Sequence, residues 1–400
     1  MTPVRAGAEH SALEAALATL AGHFADAGFA PVTAVHLFEA EALIDLYGED
    51  IRARAFLIPG SGGGGELCLR PDFTVPVVRA HGAGGWGRRA RYAYQGPVFR
   101  RQPPGSTRSS EYVQAGIEDL GNPDRAEADA QVLGLILRGL AALGAGKLAV
   151  TTGDLGIAFA LLDALPMPGR RRHQLRRHFW RPRRFHALIE EAVAGPAAST
   201  PSRARLLEAA SGAAPADAIA SLATEAGEPV GLREIDEIVA RALALAEAAG
   251  DPPMPRAEAE LIEAALAIRG PAANALARLR ALTAGAGVSI APALDRFEAR
   301  LAALDRAGID AAALAFDAAF GRNLEYYEGF VFEIAAEGRP DSPPLAGGGR
   351  YDVMTRRLGA AGPVPAVGAM IRPEAVLAAK DTPPDATPDA PPDTRPEATR

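Results

Sequence analysis

Cys68 is the single cysteine in 400 residues. This excludes an intrachain disulfide framework and a zinc site built on several thiolates. No stretch comes near the roughly 18 charge-free apolar residues that a membrane-spanning helix needs. The segment from Met1 to His10 carries Arg5 and Glu9 and no long apolar run, so no signal peptide is expected and the expected location is the cytoplasm. An excess of basic charge is missing too: 42 Lys and Arg stand against 49 Asp and Glu, a net charge of −7. That argues against the broad positive footprint of non-specific nucleic-acid binding. His173, His178 and His186 lack the i, i+4 spacing of a helical metal pair and have no cysteine nearby. No metal or other cofactor is therefore expected.

What is present is globular. Apolar residues make up 48% and charged residues 23%, and the length allows two or three domains with ample core. Composition divides the chain. Residues 1–155 mix β-branched, aromatic and glycine residues, and residues 311–380 return to that mixture. Residues 156–310 are dominated by Ala, Leu, Arg and Glu. Residues 381–400 (DTPPDATPDAPPDTRPEATR) hold no apolar residue larger than Ala besides Pro, so this tail is expected to be disordered.

Periodicity predicts a helix over 9–27, strands over 51–58 and 66–70 around a Ser61–Gly65 loop, and a hairpin of 89–95 and 97–101 with 111–119. A helix over 124–143 and a strand over 147–152 follow. Amphipathic helices are predicted over 184–195, 203–211, 232–249, 257–282 and 292–307. Strands near 313–317, 329–335 and 365–371 and a short helix near 350–358 close the chain. The order of elements implies an α+β fold, its core split by a helical insertion at 156–310.

Three clusters carry chemistry. Asp72 and Thr74, after a strand and a proline, suit a small ammonium group, or Asp72 caps a helix. Gln114 and Glu118 share one face of a strand. With Arg100 as the partner of the carboxylate they form either a polar pocket floor or a structural ion pair. Gly321 to Gly329, with Tyr326 and Tyr327, precedes Gly347-Gly348-Gly349-Arg350-Tyr351-Asp352. The glycine triplet is either a loop or a place where backbone approaches closely. Residues 170–184 hold eight arginines, read as a solvated stretch of the insertion rather than an anion or tRNA contact.

The strings LRPDFT, YQGPVFRRQPP…EYVQAGIEDLG, RNLEYYEGFVFEI and GGGRYD, in this order, resemble the class II histidyl-tRNA synthetase core. The resemblance covers about residues 10–155 and 311–378. It implies an antiparallel sheet flanked by helices, self-association as a dimer, and an active site on the sheet. It places histidine recognition on Asp72, Thr74, Arg100, Gln114, Glu118, Arg322, Tyr326, Tyr327 and Tyr351, with Asp72 standing for the usual Glu. The nucleotide side departs from the family. Gln102 replaces a Glu that helps hold ATP, Arg108 keeps one basic loop position and Ser110 replaces another. Ala375 takes the place of the motif 3 arginine, with Arg372 three residues early. No anticodon-binding domain is expected in the short stretch after motif 3. Loss of cationic contacts removes the means of stabilising ATP during adenylation. This combination is similar to the regulatory subunit family of ATP phosphoribosyltransferase, as are LYGEDIRARAF and ELCLRPDFTVPVVRAH. That family implies a non-catalytic chain of L-histidine biosynthesis with a short catalytic subunit as partner, L-histidine as ligand, and neither membrane nor nucleic acid. The alternatives are a divergent histidyl-tRNA synthetase paralogue or amino-acid ligase, and a histidine sensor for another partner.

Overall fold

A computed structural model describes residues 4–381 apart from 41–45, 47–52, 61–64, 104, 107–108, 196–199, 226–234, 313, 322–325 and 340–341. The first helix, α1 (Gly7–Asp26), buries Leu13, Ala16, Leu20 and Phe24 at helical spacing. Short strands β1 (Ala30–Pro31), β2 (Leu37–Glu39), β3 (Leu57–Ile58) and β4 (Leu67–Leu69) follow, then α2 (Thr74–Ala83). The long hairpin is β5 (Ala90–Phe99) with β6 (Glu111–Leu120), in register from Ala90 opposite Leu120 to Phe99 opposite Glu111. Then come α3 (Arg125–Ala142) and β7 (Leu148–Asp154).

Seven helices lead into the next strand: α4 (Leu155–Ala164), α5 (Gly169–His178), α6 (Pro182–Ala194), α7 (Pro201–Ala210), α8 (Pro215–Glu225), α9 (Ile235–Ala249) and α10 (Arg256–Leu266). Next are β8 (Arg269–Pro271), α11 (Ala272–Gly285), α12 (Ala291–Arg306) and β9 (Ala315–Asp317). The chain closes with β10 (Phe330–Ala336), β11 (Ala346–Arg350), α13 (Asp352–Arg357), β12 (Ala366–Ile371) and α14 (Pro373–Asp381).

Nine strands form one sheet in the order β1-β5-β6-β12-β11-β10-β7-β9-β8, and β2-β4-β3 form a second. From β5 to β7 every pairing is antiparallel, and only β1 with β5 and β7 with β9 run parallel. One sheet face packs on α1, α3 and α14 through Leu20, Phe24, Ile117, Leu133, Phe332 and Val376. A second apolar cluster runs from Val75 and Leu120 through Leu161, Phe185, Ile262 and Leu279 to Phe316 and Tyr351. Helices α4 to α6 and α10 to α12 therefore share a core with the sheet, and β8 adds its outermost strand. Helices α7 to α9 form their own small cluster around Ile219, Val239 and Ala242.

Two sequence expectations need correction, and two are made more exact. The helix read over 257–282 is two helices broken by β8, because Gly270 sits at φ +131 and Pro271 caps the second helix. The hairpin read from 89–95 and 97–101 with 111–119 is present, its first strand running unbroken through Pro97. Among the described residues of the strand read over 51–58, only 57–58 are strand, and 53–54 are helical. Of the two readings of Gly347 to Gly349, close approach to other strands holds: they lie buried in a central strand between β10 and β12. Residues 51–52, the Ser61–Gly64 part of the predicted loop and the tail from 382 lie outside the described residues. Among the described residues no helix is long and apolar enough to cross a membrane. Among them, too, no group of three or more His, Cys, Asp or Glu gathers as a metal site would.

Candidate functional site

Side chains alternate along a strand, so Ala115 and Ile117 of β6 enter the helix-packed core while Gln114, Gly116 and Glu118 face the other way. That second face is the floor of a narrow pocket of about 290 Å³, its open mouth included. Asp72, Thr74, Arg100, Gln114, Tyr326 and Tyr327 line it, together with Tyr94, Gly347, Ala369 and Met370. Six of the nine predicted residues thus meet on one wall. Glu118 and Tyr351, fully buried, lie one layer behind it. Arg322 lies outside the described residues.

Glycines make the room. A Cβ at Gly116 would fall 2.5 Å from the Tyr94 hydroxyl and 2.6 Å from the Ala369 carbonyl, and one at Gly368 would collide with the Glu118 carboxylate. Tyr94, Ala369 and Met370 were missed in the sequence. The signal for Tyr94 was its place on a strand that pairs it with Gly116, where the missing Cβ leaves space for a ring.

The partner of Glu118 is a second correction. Arg100 is not that partner; three hydroxyls meet the carboxylate. Thr74 Oγ1 donates to it at 2.8 Å, Tyr94 OH at 3.3 Å, and Tyr351 OH donates as well. Burial pushes the Glu118 carboxyl up to about 8, against the opposing pull of the Tyr351 and Thr74 hydroxyls. Burial and the neighbouring Glu118 hold both the Tyr94 and Tyr351 phenols well above their ordinary range. Arg100 Nε instead donates to the Pro71 carbonyl at 2.7 Å, with the guanidinium 6.0 Å from the Tyr112 ring. Gln114 Oε1 is buried and has no hydrogen-bond partner among the described residues. A buried acceptor without a donor is costly, and a ligand N–H would satisfy it.

The alternative role of Asp72 as a helix cap also fails, because the N-cap of α2 is Phe73 and makes no side-chain cap bond. Asp72 accepts from Tyr326 OH at 3.2 Å. The rings of Tyr326 and Tyr327 are 4.6 Å apart, and Tyr351 lies 5.8 Å from the first and 6.4 Å from the second. One carboxylate, one guanidinium, a hydroxyl, an amide and tilted tyrosine rings suit a small zwitterion with a planar polar side chain.

The nucleotide side is turned inward. Gln102 Nε2 donates to the carbonyls of Arg100 and Ser109, both at 3.2 Å, and closes the base of the hairpin loop. Ala375 on α14 packs against the helix-side core. Arg372 donates to the Pro344 carbonyl at 2.8 Å and lies 5.4 Å from the Tyr112 ring. Arg108 lies outside the described residues. The arginines at 170–184 are largely engaged within the fold. Arg172 donates to the Leu162, Leu165 and Met167 carbonyls, and Arg176 pairs with Asp163 at 2.5 Å.

An antiparallel sheet carrying this pocket between the hairpin and the tyrosine segments defines a histidyl-tRNA synthetase-like core. The sequence profile of the histidyl-tRNA synthetase family matches residues 6–251 and 232–376. Solved structures agree in fold. One titled an ATP phosphoribosyltransferase regulatory subunit/histidyl-tRNA synthetase, from Bacillus halodurans, superposes with TM-score 0.67 at 20% identity, covering 96% of this chain and 83% of its own. A histidyl-tRNA synthetase from Nostoc gives 0.60 at 16% identity, covering 94% and 73%. Sequence narrows the choice. The ATP phosphoribosyltransferase regulatory subunit of Mesorhizobium japonicum is 38% identical over 360 residues, covering 86% of this chain and 92% of the relative. That of Rhizobium johnstonii is 39% identical over 341 residues, covering 82% and 87%. The chain belongs to the ATP phosphoribosyltransferase regulatory subunit family.

Proposed function

We propose that the chain is the non-catalytic regulatory subunit of an ATP phosphoribosyltransferase, the enzyme of the first step of L-histidine biosynthesis. It activates a separate short catalytic subunit and carries histidine feedback to it. The observation that carries this reading is 38% identity over 86% of the chain to a relative of that name. The pocket supports it. Amino-acid-binding groups are retained, while Gln102 and Ala375 leave the nucleotide side without the groups adenylation needs.

In this reading L-histidine is the ligand. Asp72 takes its ammonium, Arg100 its carboxylate, and Gln114 Oε1 an imidazole N–H. Thr74, Tyr326 and Tyr327 enclose it, Glu118 and Tyr351 hold the wall from behind, and Arg322 joins them. Residues 1–155 and 311–380 act as one unit and 156–310 as its insertion, in the cytoplasm, with neither membrane nor nucleic acid as partner. Self-association as a dimer is supported by Val35, Leu37 and Ile58. These large apolar side chains are 63%, 44% and 38% exposed on and beside the three-stranded sheet, more than isolated surface residues require.

Co-purification with the short catalytic chain and an activity assay test the proposal. Phosphoribosyl transfer should rise when this chain is added and fall with L-histidine. Histidine-dependent exchange of pyrophosphate into ATP should stay at background, and robust exchange would instead establish an amino-acid ligase.

A further inference from the structure

The paired strands stop short of the tyrosines. β10 and β11 are in register from Ile334 opposite Ala346 to Val331 opposite Gly349. Tyr326, Tyr327 and Tyr351 all lie beyond the Val331–Gly349 pair, and although the Tyr351 N–H donates to Ala366 at 2.9 Å, the β10–β11 ladder alone does not fix their spacing. Glu328 supplies the next two bonds. Its backbone N–H donates to the Arg350 carbonyl at 3.1 Å, and its Oε1 accepts the Val353 N–H at 2.6 Å. One residue thus holds the chain on both sides of Tyr351.

Ion pairs hold the same short segment. The Arg350 guanidinium meets Asp129 of α3 at 2.7 Å and Asp352 at 2.8 Å. Asp352 also accepts the Ala366 N–H at 2.8 Å and pairs with Arg125 at 3.0 Å. The segment 350–353 is therefore held both by charges tied to α3 and by Glu328. Asp352, Arg125 and Arg357 are the charged groups that act on the Glu328 carboxyl, and burial pushes that carboxyl up to about 7.

We propose that Glu328, which does not line the pocket, is a positioning residue: it latches residues 326–329 onto 350–353 and so sets the spacing of Tyr326, Tyr327 and Tyr351. Its effect on ligand affinity rests on the reading of the pocket as an L-histidine site, while the latch itself does not. An ionised carboxylate is the stronger acceptor for a backbone N–H. The latch therefore tightens as pH rises through about 7.

Glu328→Gln keeps the Oε1 acceptor and removes the titration, whereas Glu328→Ala removes the acceptor. Amide hydrogen exchange, corrected for intrinsic rates, is followed in peptides spanning 326–329 and 350–357 of the full chain. L-histidine titration calorimetry is run in parallel. In Glu328→Ala, the Val353 amide and both segments should exchange about tenfold faster or more, and histidine affinity should fall about tenfold. Glu328→Gln should restore both. Protection of Val353 should rise between pH 6 and 8 in the wild type and stay flat in Glu328→Gln. Unchanged exchange in Glu328→Ala, no rescue by Gln, or equal pH profiles would overturn the latch. If the alanine variant does not fold, the two pH profiles decide. If the wild type binds no histidine while the exchange results hold, the latch stands and the histidine reading of the pocket fails.

Discussion

A single methyl group at position 368 would fill the space behind the pocket wall. A Cβ there collides with the Glu118 carboxylate and lies 2.8 Å from the Ile117 carbonyl. The neighbour is a carboxylate held by three hydroxyls, so it cannot yield cheaply. Gly368→Ala should cost about 1–3 kcal/mol, read from urea unfolding, and wild-type stability would show that the wall gives way. Glu118 itself sets a pH dependence. Its folded value is about 8 against an ordinary 4.5, so the native chain keeps a proton that the unfolded chain releases. The stability this gives is complete below about 4.5 and is lost as pH rises toward 8. Glu118→Gln should flatten that decline in Tm between pH 5 and 8, and identical slopes would mean that Glu118 is ionised throughout. At this scale the sequence was informative about identity. Gln114 and Glu118 were legible as one strand face because alternation is strict. The partner of Glu118 was not, because Thr74 and Tyr351 reach it from segments 44 and 233 residues away.

Elements whose pattern is local were legible, and those made by their neighbours were not. The hairpin of β5 and β6 announces itself by two strand-like runs around a turn-rich segment. The strand β11 reads Ala-Gly-Gly-Gly-Arg, which has no strand preference of its own. It is a strand because β10 and β12 pair with it on both sides, and because Gly348 and Gly349 lie where a Cβ would meet backbone of β12 and β10. The break at β8 carried a signal that periodicity hid: a Gly-Pro pair inside a helical run. Gly270 at φ +131 is open to solvent space but not to an L side chain's preferred backbone. Gly270→Ala should therefore destabilise by more than about 1 kcal/mol, measured as a lower Tm. No loss would mean that β8 can detach from the sheet edge freely. Arg172 shows why a run of arginines need not be a binding surface. Its guanidinium collects three carbonyls at the end of α4.

Across the whole molecule, buried charge ties the helices to the sheet. Arg300 of α12 meets Asp154 at 2.5 Å and Asp129 at 3.4 Å, all three nearly inaccessible to solvent. Asp129 passes the contact on to Arg350. Arg300→Met would leave two carboxylates short of a buried partner and should cost about 3–5 kcal/mol, measured by thermal unfolding. A loss below about 1 kcal/mol would mean that water replaces the guanidinium. Removal of residues 382–400, which offer no apolar anchor, should leave Tm and activation of the partner unchanged. A lower Tm would reveal a docked tail. The strand order has a consequence for the chain as it is made. β6 and β7 are synthesised early, yet β12, β11 and β10, the last strands to leave the ribosome, fill the space between them. For the time it takes to translate more than half of the protein, two long strand edges wait without partners. Such edges invite pairing with other chains. A message cut short before residue 330 is therefore expected to yield not a smaller regulator but a fragment whose open strand edges pair with other chains.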